Sequence, residues 1–172
     1  MAKFTYMGDH RFRAFWVSII VGVVIFFCGL FVLSLVGIHY NKILIPGTLG
    51  QILILVIGFL VAAYYISVFF THHEVTEREI VLRQGWALRA EIPLGNVEIV
   101  EYTQEMSPGV GIRHAAGRRF FLLTAPSNMV EIRLKTPQRF YFLGIIPLWK
   151  TQRVFTNVDD PLKFIQEIEK KI

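Results

Sequence analysis

Two long apolar runs separated by a short polar break fill the first 70 residues. Positions 14–38 contain no charged side chain, His39, Tyr40, Asn41 and Lys42 interrupt the run, and 43–70 is again uncharged. At about 1.5 Å per residue, a helix over 14–38 is longer than the roughly 30 Å hydrocarbon core of a bilayer. The pattern predicts a membrane-crossing helix over 14–38, a short external turn over 39–45, and a second helix over 46–70 packed antiparallel to the first. Pro46 and Gly47 fall where the second helix begins, a position that tolerates them. A cleaved signal peptide is the competing reading of the first run. Signal sequences, however, carry an apolar stretch of about 7–15 residues and are not followed at once by a second span.

Small residues give each helix a packing face: Ser18, Gly22 and Gly29 on the first, and Gly58 with Ala62 as a small-xxx-small pair on the second. The same faces also suit association between copies. Trp16, Tyr64 and Tyr65 at one end and Tyr40 at the other stand where aromatic side chains anchor spans at the headgroups.

After residue 70 the helical period gives way to the alternation of strands, with no polar linker between. Positions 71–76 read as one strand and 79–84 as the next, ending at Gly85. Leu88, Ala90, Ile92 and Leu94 alternate with Arg89, Glu91 and Pro93, the pattern of a half-buried strand, and Gly95 and Asn96 turn the chain. Val97 and Ile99 share one face before Val100 and Tyr102 take the other, a phase switch that predicts a bulge or entry into a second sheet. Pro108, Gly109, Gly111 and Gly117 make 106–117 a loop. Residues 120–124 and 130–135 read as a hairpin about a turn at 125–128, and 152–158 as a final strand.

A helix closes the chain. Asp159 or Asp160 caps it, Pro161 suits its first position, and Leu162, Ile165, Ile168 and Ile172 form its apolar stripe, with Glu167, Glu169, Lys170 and Lys171 facing water. The expected fold class is α+β: a two-helix transmembrane hairpin, then about seven antiparallel strands in a barrel or sandwich, capped by the amphipathic helix.

Composition sharpens this division. A chain of 172 residues that is 53% hydrophobic, with mean hydropathy +0.49, is too apolar for one soluble domain. Removing the spans leaves 71–172 as a single small domain. The one cysteine, Cys28, lies inside the first span, where it cannot form an intrachain disulfide and serves as a small packing residue.

Charge is unevenly spread: 71–105 holds three Arg against seven Glu, whereas 106–158 holds eight Lys or Arg against one Glu. No nucleic-acid-binding motif accompanies the basic stretch, so anionic lipid headgroups or an acidic protein are its expected counterparts and nucleic acid is not. Lys3, Arg11 and Arg13 precede the first span, Lys42 alone lies in the turn, and Arg78, Arg83 and Arg89 follow the second. This bias puts both termini in the cytoplasm, 1–13 being a cytoplasmic N-terminal segment of a two-span protein of the cell membrane.

Short motifs in 71–172 carry a family resemblance. Val75-Thr76-Glu77-Arg78-Glu79-Ile80 with Gly85, Ile92-Pro93-Leu94 before Val97, Gly109-Val110-Gly111-Ile112-Arg113 with Gly117, and Asp159-Asp160-Pro161 with Phe164 form the set. They resemble the bacterial pleckstrin-homology-like domains of small prokaryotic membrane proteins, which often follow a pair of spans. The resemblance implies a pleckstrin-homology-type barrel and brings no defined activity. Two features depart from it. Glu77-Arg78-Glu79 is net acidic in the turn where phosphoinositide-binding eukaryotic members place basic residues, and the apolar insert 140–149 is long for a gap between the last strands. Phosphoinositide recognition at the usual site is therefore not expected.

Two segments are candidate sites. Around Arg113, His114, Arg118 and Arg119, glycines let backbone amides approach a phosphate while the arginines supply charge; a solvated loop with ordinary surface arginines is the plainer reading. Phe140, Phe142, Ile145, Ile146 and Trp149, bracketed by Arg139 and Lys150, have the composition of a segment that dips into the lipid interface but is too short to span. The competing reading is a core strand, which Gly144 and Pro147 interrupt.

His72, His73, Glu74 and Glu77 follow the second span, but adjacent strand histidines point to opposite faces, so no metal ion is expected there. No nucleophile with a base, carboxylate pair or metal-ligand spacing is present, and Ser107, Ser127 and His114 have no acidic partner at a recognisable spacing.

The expectation is a non-enzymatic protein without cofactor, whose partners are membrane lipids and another protein or a second copy. The expected role is a binding or assembly module that presents the β domain at the cytoplasmic membrane face; the alternatives are an anionic-lipid or membrane-state sensor using Arg113, Arg118, Arg119, Arg139 and Lys150, and an accessory subunit of a membrane enzyme or transporter.

Overall fold

A computed structural model describes residues 1–6, 10–39, 47–105, 107 and 109–172, with side chains except at 10, 11, 36–39, 47 and 48. The turn expected at Tyr40, Asn41 and Lys42, with Pro46, lies outside the described residues, as do Met106 and Pro108 of the expected loop.

The two apolar runs form α1 (His10–His39) and α2 (Gly47–Ser67). Within them Phe12–Leu35 and Leu49–Ser67 are long and apolar enough to cross a membrane. Trp16 stands 5.6 Å from Tyr65 and Phe27 packs on Gly58, so the helices run antiparallel. Gly58 permits this approach, because a Cβ there would meet Phe27 Cγ at 2.7 Å. Ala62, one turn on, is half-buried on the same side.

The expected packing face of α1 is a different one. Trp16, Ile20, Val23, Phe27, Leu30 and Ser34 turn inward, whereas Ser18, Gly22 and Gly29 are exposed, and a Cβ at either glycine would meet nothing within 4 Å. Cys28 is exposed as well. At 3.6 residues per turn, Ser18, Gly22 and Gly29 lie on the side of α1 opposite Trp16, whose indole is anchored to the sheet. That anchor sets the rotation of the helix.

Nine strands form one mixed sheet: β1 (Ala2–Phe4), β2 (His73–Val75), β3 (Glu79–Gln84), β4 (Leu88–Pro93), β5 (Val97–Thr103), β6 (Gly111–Ala115), β7 (Arg119–Leu123), β8 (Met129–Phe142) and β9 (Ile146–Asn157). The order is β1-β2-β3-β4-β8-β9-β7-β6, with β5 also on β8, so β1 and β6 stand at the ends of the path. With two long apolar helices and the final helix α3 (Pro161–Glu169), the class is α+β.

The expected bulge is present between Val97 and Ile99. Four details differ from the sequence reading. The N-terminal segment, given no element by the sequence, holds a strand: β1 pairs with β2, Ala2 opposite Val75 and Phe4 opposite His73. Part of the expected loop is β6, since Gly111 and Gly117 bound that strand rather than break it. The expected hairpin of 120–124 with 130–135 does not form; β7 runs parallel to β9, Phe120 opposite Val154, and β8 pairs with β9. Residues 120–123 are buried on both faces, as a strand with a neighbour on each side requires. In α3, Phe164 and Ile168 are buried while Leu162 and Ile172 are exposed. Asp160 Oδ1 caps the helix through Lys163 N (3.1 Å), and Phe164 meets Phe4 edge-on at 5.0 Å.

With β9 on one edge, β8 serves two neighbours on the other. Its first half lies against β5 and its last residues against β4. Pro137 sits at the change, where the ladder to β9 also shifts between Arg133 and Gln138, because proline has no N–H to donate. Asn96 replaces the lost ladder: its Oδ1 accepts from Thr136 N (2.9 Å) and its Nδ2 donates to Thr136 O (3.1 Å).

Helix packing gives a first prediction. Gly58→Val should destabilise the folded protein in detergent by about 1–3 kcal/mol, the usual cost of overpacking, whereas Gly22→Leu and Gly29→Leu leave its melting temperature unchanged. Equal losses at all three positions would contradict the assigned contact face.

Candidate functional site

A set of buried polar contacts joins the helices to the sheet. Tyr6, between β1 and α1, donates its hydroxyl to Val68 O (3.1 Å) and is hydrogen-bonded to the Thr71 hydroxyl. Its carbonyl accepts from Thr124 Oγ1 (2.8 Å) and Asn157 Nδ2 (3.0 Å). Burial pushes the phenol up to about 12, keeping it protonated. From α1, Trp16 Nε1 donates to Thr124 O (3.0 Å). Trp16 is thus a buried tie to the sheet, not an aromatic anchor at the headgroups. At the end of α2, Ser67 Oγ accepts from Trp86 N, and just beyond it Thr71 Oγ1 accepts from Gly85 N, each at 3.0 Å. Glycine is needed at 85, where φ is +59° and a Cβ would stand 2.5 Å from Ser67 Oγ.

His73 completes this junction, its ring 4.6 Å from that of Tyr6. Arg83 N donates to Nδ1 (3.2 Å), which leaves the proton on Nε2 to be donated to Thr156 Oγ1 (2.8 Å). Burial pushes the imidazole down to about 3, so it is neutral. His72 pairs instead with Glu74 (3.3 Å). The two histidines therefore do not converge on a common ion.

The second feature is the far end of the β8–β9 hairpin. Leu143 (φ 55°) and Gly144 (φ 71°) are both left-handed, and Ile145 N donates to Phe142 O (3.2 Å), the geometry of a type I′ turn. Leucine disfavours that backbone by about 1–2 kcal/mol. Leu143 N donates to Ala87 O (2.7 Å), which holds the turn against the β3–β4 connection.

Alternation along β8 corrects part of the expected apolar set. Phe140 is core, 5.4 Å from Phe120, and Phe142 is half-buried. Tyr141, Leu143, Ile145, Ile146 and Trp149 are the exposed members, Ile145 at 76% and Trp149 at 73%. Behind them Arg139 and Lys150 face each other across the strands, both exposed.

Between the turn and α2 lies a cavity of about 350 Å³, lined by Leu60, Val61, Tyr64, Trp86, Ala87 and Leu143 among others. Leu60 precedes the helix end at Ser67 by roughly 10 Å at 1.5 Å per residue, so the turn hangs alongside the apolar part of α2. Sequence reasoning missed Trp86, for which a tryptophan directly after the turn glycine Gly85 was the available signal; Tyr141 and Leu143 fell within the apolar segment 140–149 that it singled out.

The expected basic cluster divides. Arg119, with Arg153, is paired to Glu105. Glu131 is held between Arg153 (2.6 Å) and Arg133 (3.3 Å), and hydrogen bonding from Arg153 keeps its carboxyl below the usual range. Glu101 pairs with Arg133 (3.2 Å). Three arginines on adjacent strands are thus matched by three glutamates, two of them from the acidic stretch. Arg113 folds back to Val110 O (3.3 Å), Arg118 is exposed in the β6–β7 turn, and the His114 ring lies 5.4 Å from Trp149. By strand register Arg113, opposite Phe121, and Arg119, opposite Ala115, share one face of the β6–β7 pair, while His114, opposite Phe120, points to the other.

Comparison with family models, with curated proteins and with solved structures finds no match to this chain.

The buried neutral His73 gives a signed pH dependence. Unfolded histidine takes up a proton near its ordinary 6.5 while the folded ring does not until about 3, so the unfolded state binds more protons across that window. Stability should fall as pH drops below 6.5, by at most about 1.4 kcal/mol per unit; His114, lowered by burial, adds a loss of the same sign. Thermal melts of the detergent-solubilised protein between pH 6.5 and 4.5 should show a shallower slope for His73→Gln than for the parent. An unchanged slope counts against this assignment.

Proposed function

We propose that this protein is a non-enzymatic, membrane-anchored module whose β domain works against the lipid surface, contacting anionic headgroups through the β8–β9 hairpin. The observation that carries the reading is the layering of that hairpin. Leu143, Ile145 and Ile146 form its exposed apolar end, Tyr141 and Trp149 come next, and the Arg139–Lys150 pair follows. Apolar, aromatic and cationic layers in that order match the successive environments of an interface. The turn also lies beside apolar α2, and Ile25, Phe26, Leu49 and Phe59 on the two helices are 61–73% exposed, a surface suited to lipid rather than water.

On this reading α1 and α2 cross the cytoplasmic membrane with both termini inside, as the Lys and Arg distribution favours. β1 beside β2 supports having both ends of the helical hairpin on one side. A sheet closed by a C-terminal helix agrees with a pleckstrin-homology-like domain. A second role, assembly with a protein partner, draws support from β6, an end strand able to accept a further strand.

Fluorotryptophan labelling tests the lipid contact without altering the chain, since it holds three tryptophans. In proteoliposomes of phosphatidylcholine with phosphatidylglycerol, nitroxide lipids should broaden the Trp149 resonance while buried Trp16 stays sharp. Arg139→Gln with Lys150→Gln should weaken the effect of labelled phosphatidylglycerol by roughly tenfold or more in lipid fraction, at about 1 kcal/mol per cation. A Trp149 resonance untouched by any labelled lipid overturns the proposal.

A further inference from the structure

We infer that the cavity between α2 and the hairpin turn is a lipid site that holds one acyl chain of an anionic phospholipid from the surrounding leaflet. The inference rests on the interfacial reading above and goes beyond it, from a surface that touches lipid to a site that retains one.

Three observations carry it. First, the cavity is continuous with the proposed membrane surface: Leu60 and Val61 are α2 residues within the stretch suited to cross a membrane. Acyl chains therefore reach it without passing through water. Second, its size selects the occupant. About 350 Å³ lies at the small end of the roughly 300–1,000 Å³ of ligand cavities. That suits a length of hydrocarbon chain and not a helix about 10–12 Å across. Third, the wall is built at a cost to the backbone: Leu143 takes a left-handed φ of 55° where glycine or asparagine sits freely, and its side chain lines the cavity.

Charge favours an anionic lipid. Along the same β4–β8 seam the apolar lining Ala87 and Phe142 gives way to Arg89 and Tyr141, paired with each other. A polar cleft of about 180 Å³ follows, with Arg89, Arg139, Gln138 and Glu91 on its walls. Arg89 is partly matched by Glu91 (2.7 Å), while Arg139 faces Lys150 across the hairpin. A chain seated in the cavity leaves its phosphate near a net positive rim.

The fluorotryptophan protein in proteoliposomes also tests this site, with phosphatidylglycerol spin-labelled on its acyl chain and Trp86, in the cavity wall, as reporter. Broadening of Trp86 should saturate at a labelled-lipid fraction roughly tenfold below that needed at Trp149, the scale that sheltering about two further CH2 groups in the cavity supplies. At constant nitroxide content, unlabelled phosphatidylglycerol should reverse it and unlabelled phosphatidylcholine should not. Val61→Phe, which fills the cavity, should bring Trp86 to the Trp149 dependence; the competition arm uses the unaltered chain and stands if that variant misfolds. If Trp86 and Trp149 broaden in parallel, the cavity holds only bulk lipid and the inference fails. If Trp86 is shielded from all labelled lipid, a second copy or another span covers the cavity and the inference also fails. In both cases a broadened Trp149 leaves the interfacial reading standing, whereas a sharp Trp149 removes it.

Discussion

The hydrogen bonds around Tyr6 are the constraint on which the rest of the structure depends. One residue ties the end of α2 through its phenol and the sheet through its carbonyl, with Thr124 and Asn157 on the sheet side. Trp16 reaches the same Thr124 from α1. Each of these groups is buried, so breaking one contact strands a polar atom away from water, at a cost of about 1–3 kcal/mol. A hinge between helices and domain would break several at once.

Two consequences follow. Anchoring Trp16 fixes the rotation of α1, which sends Phe27 toward Gly58 and turns Ser18, Gly22 and Gly29 outward. Anchoring Ser67 and Thr71 to the Gly85–Trp86 turn brings the β3–β4 connection against α2, and Leu143 follows through its bond to Ala87. Both ends of the β8–β9 hairpin are thereby tied beside one helix terminus, Asn157 through Tyr6 and Leu143 through Ala87. The bend at Pro137 accompanies this return. In the proposed arrangement the exposed apolar turn is held at the lipid surface by the fold itself.

Much of this was legible in the sequence because it was local. Uninterrupted apolar runs gave both helices, alternation gave β3, β4 and the first half of β8, and a phase change gave the bulge after Val97. What escaped was long-range. β1 is three residues whose strand character comes only from β2, seventy positions away in the chain, and the parallel pairing of β7 with β9 leaves no local mark. Charge misled for the same reason. The acidic and basic stretches look like separate surfaces, yet Glu101 and Glu105 fold onto Arg133, Arg153 and Arg119. The apolar hairpin end was visible as composition, but which of its residues face outward needed the register that buries Phe140 and exposes Trp149.

The central claim is that the junction holds the β domain in one orientation against the helices. It is tested most directly by the distance distribution between spin labels at two exposed positions, Leu53 in α2 and Glu98 in β5, in the intact protein in lipid nanodiscs. A single narrow distribution is predicted. A broad or two-peaked distribution, as a domain swinging on a flexible tether would give, contradicts the account.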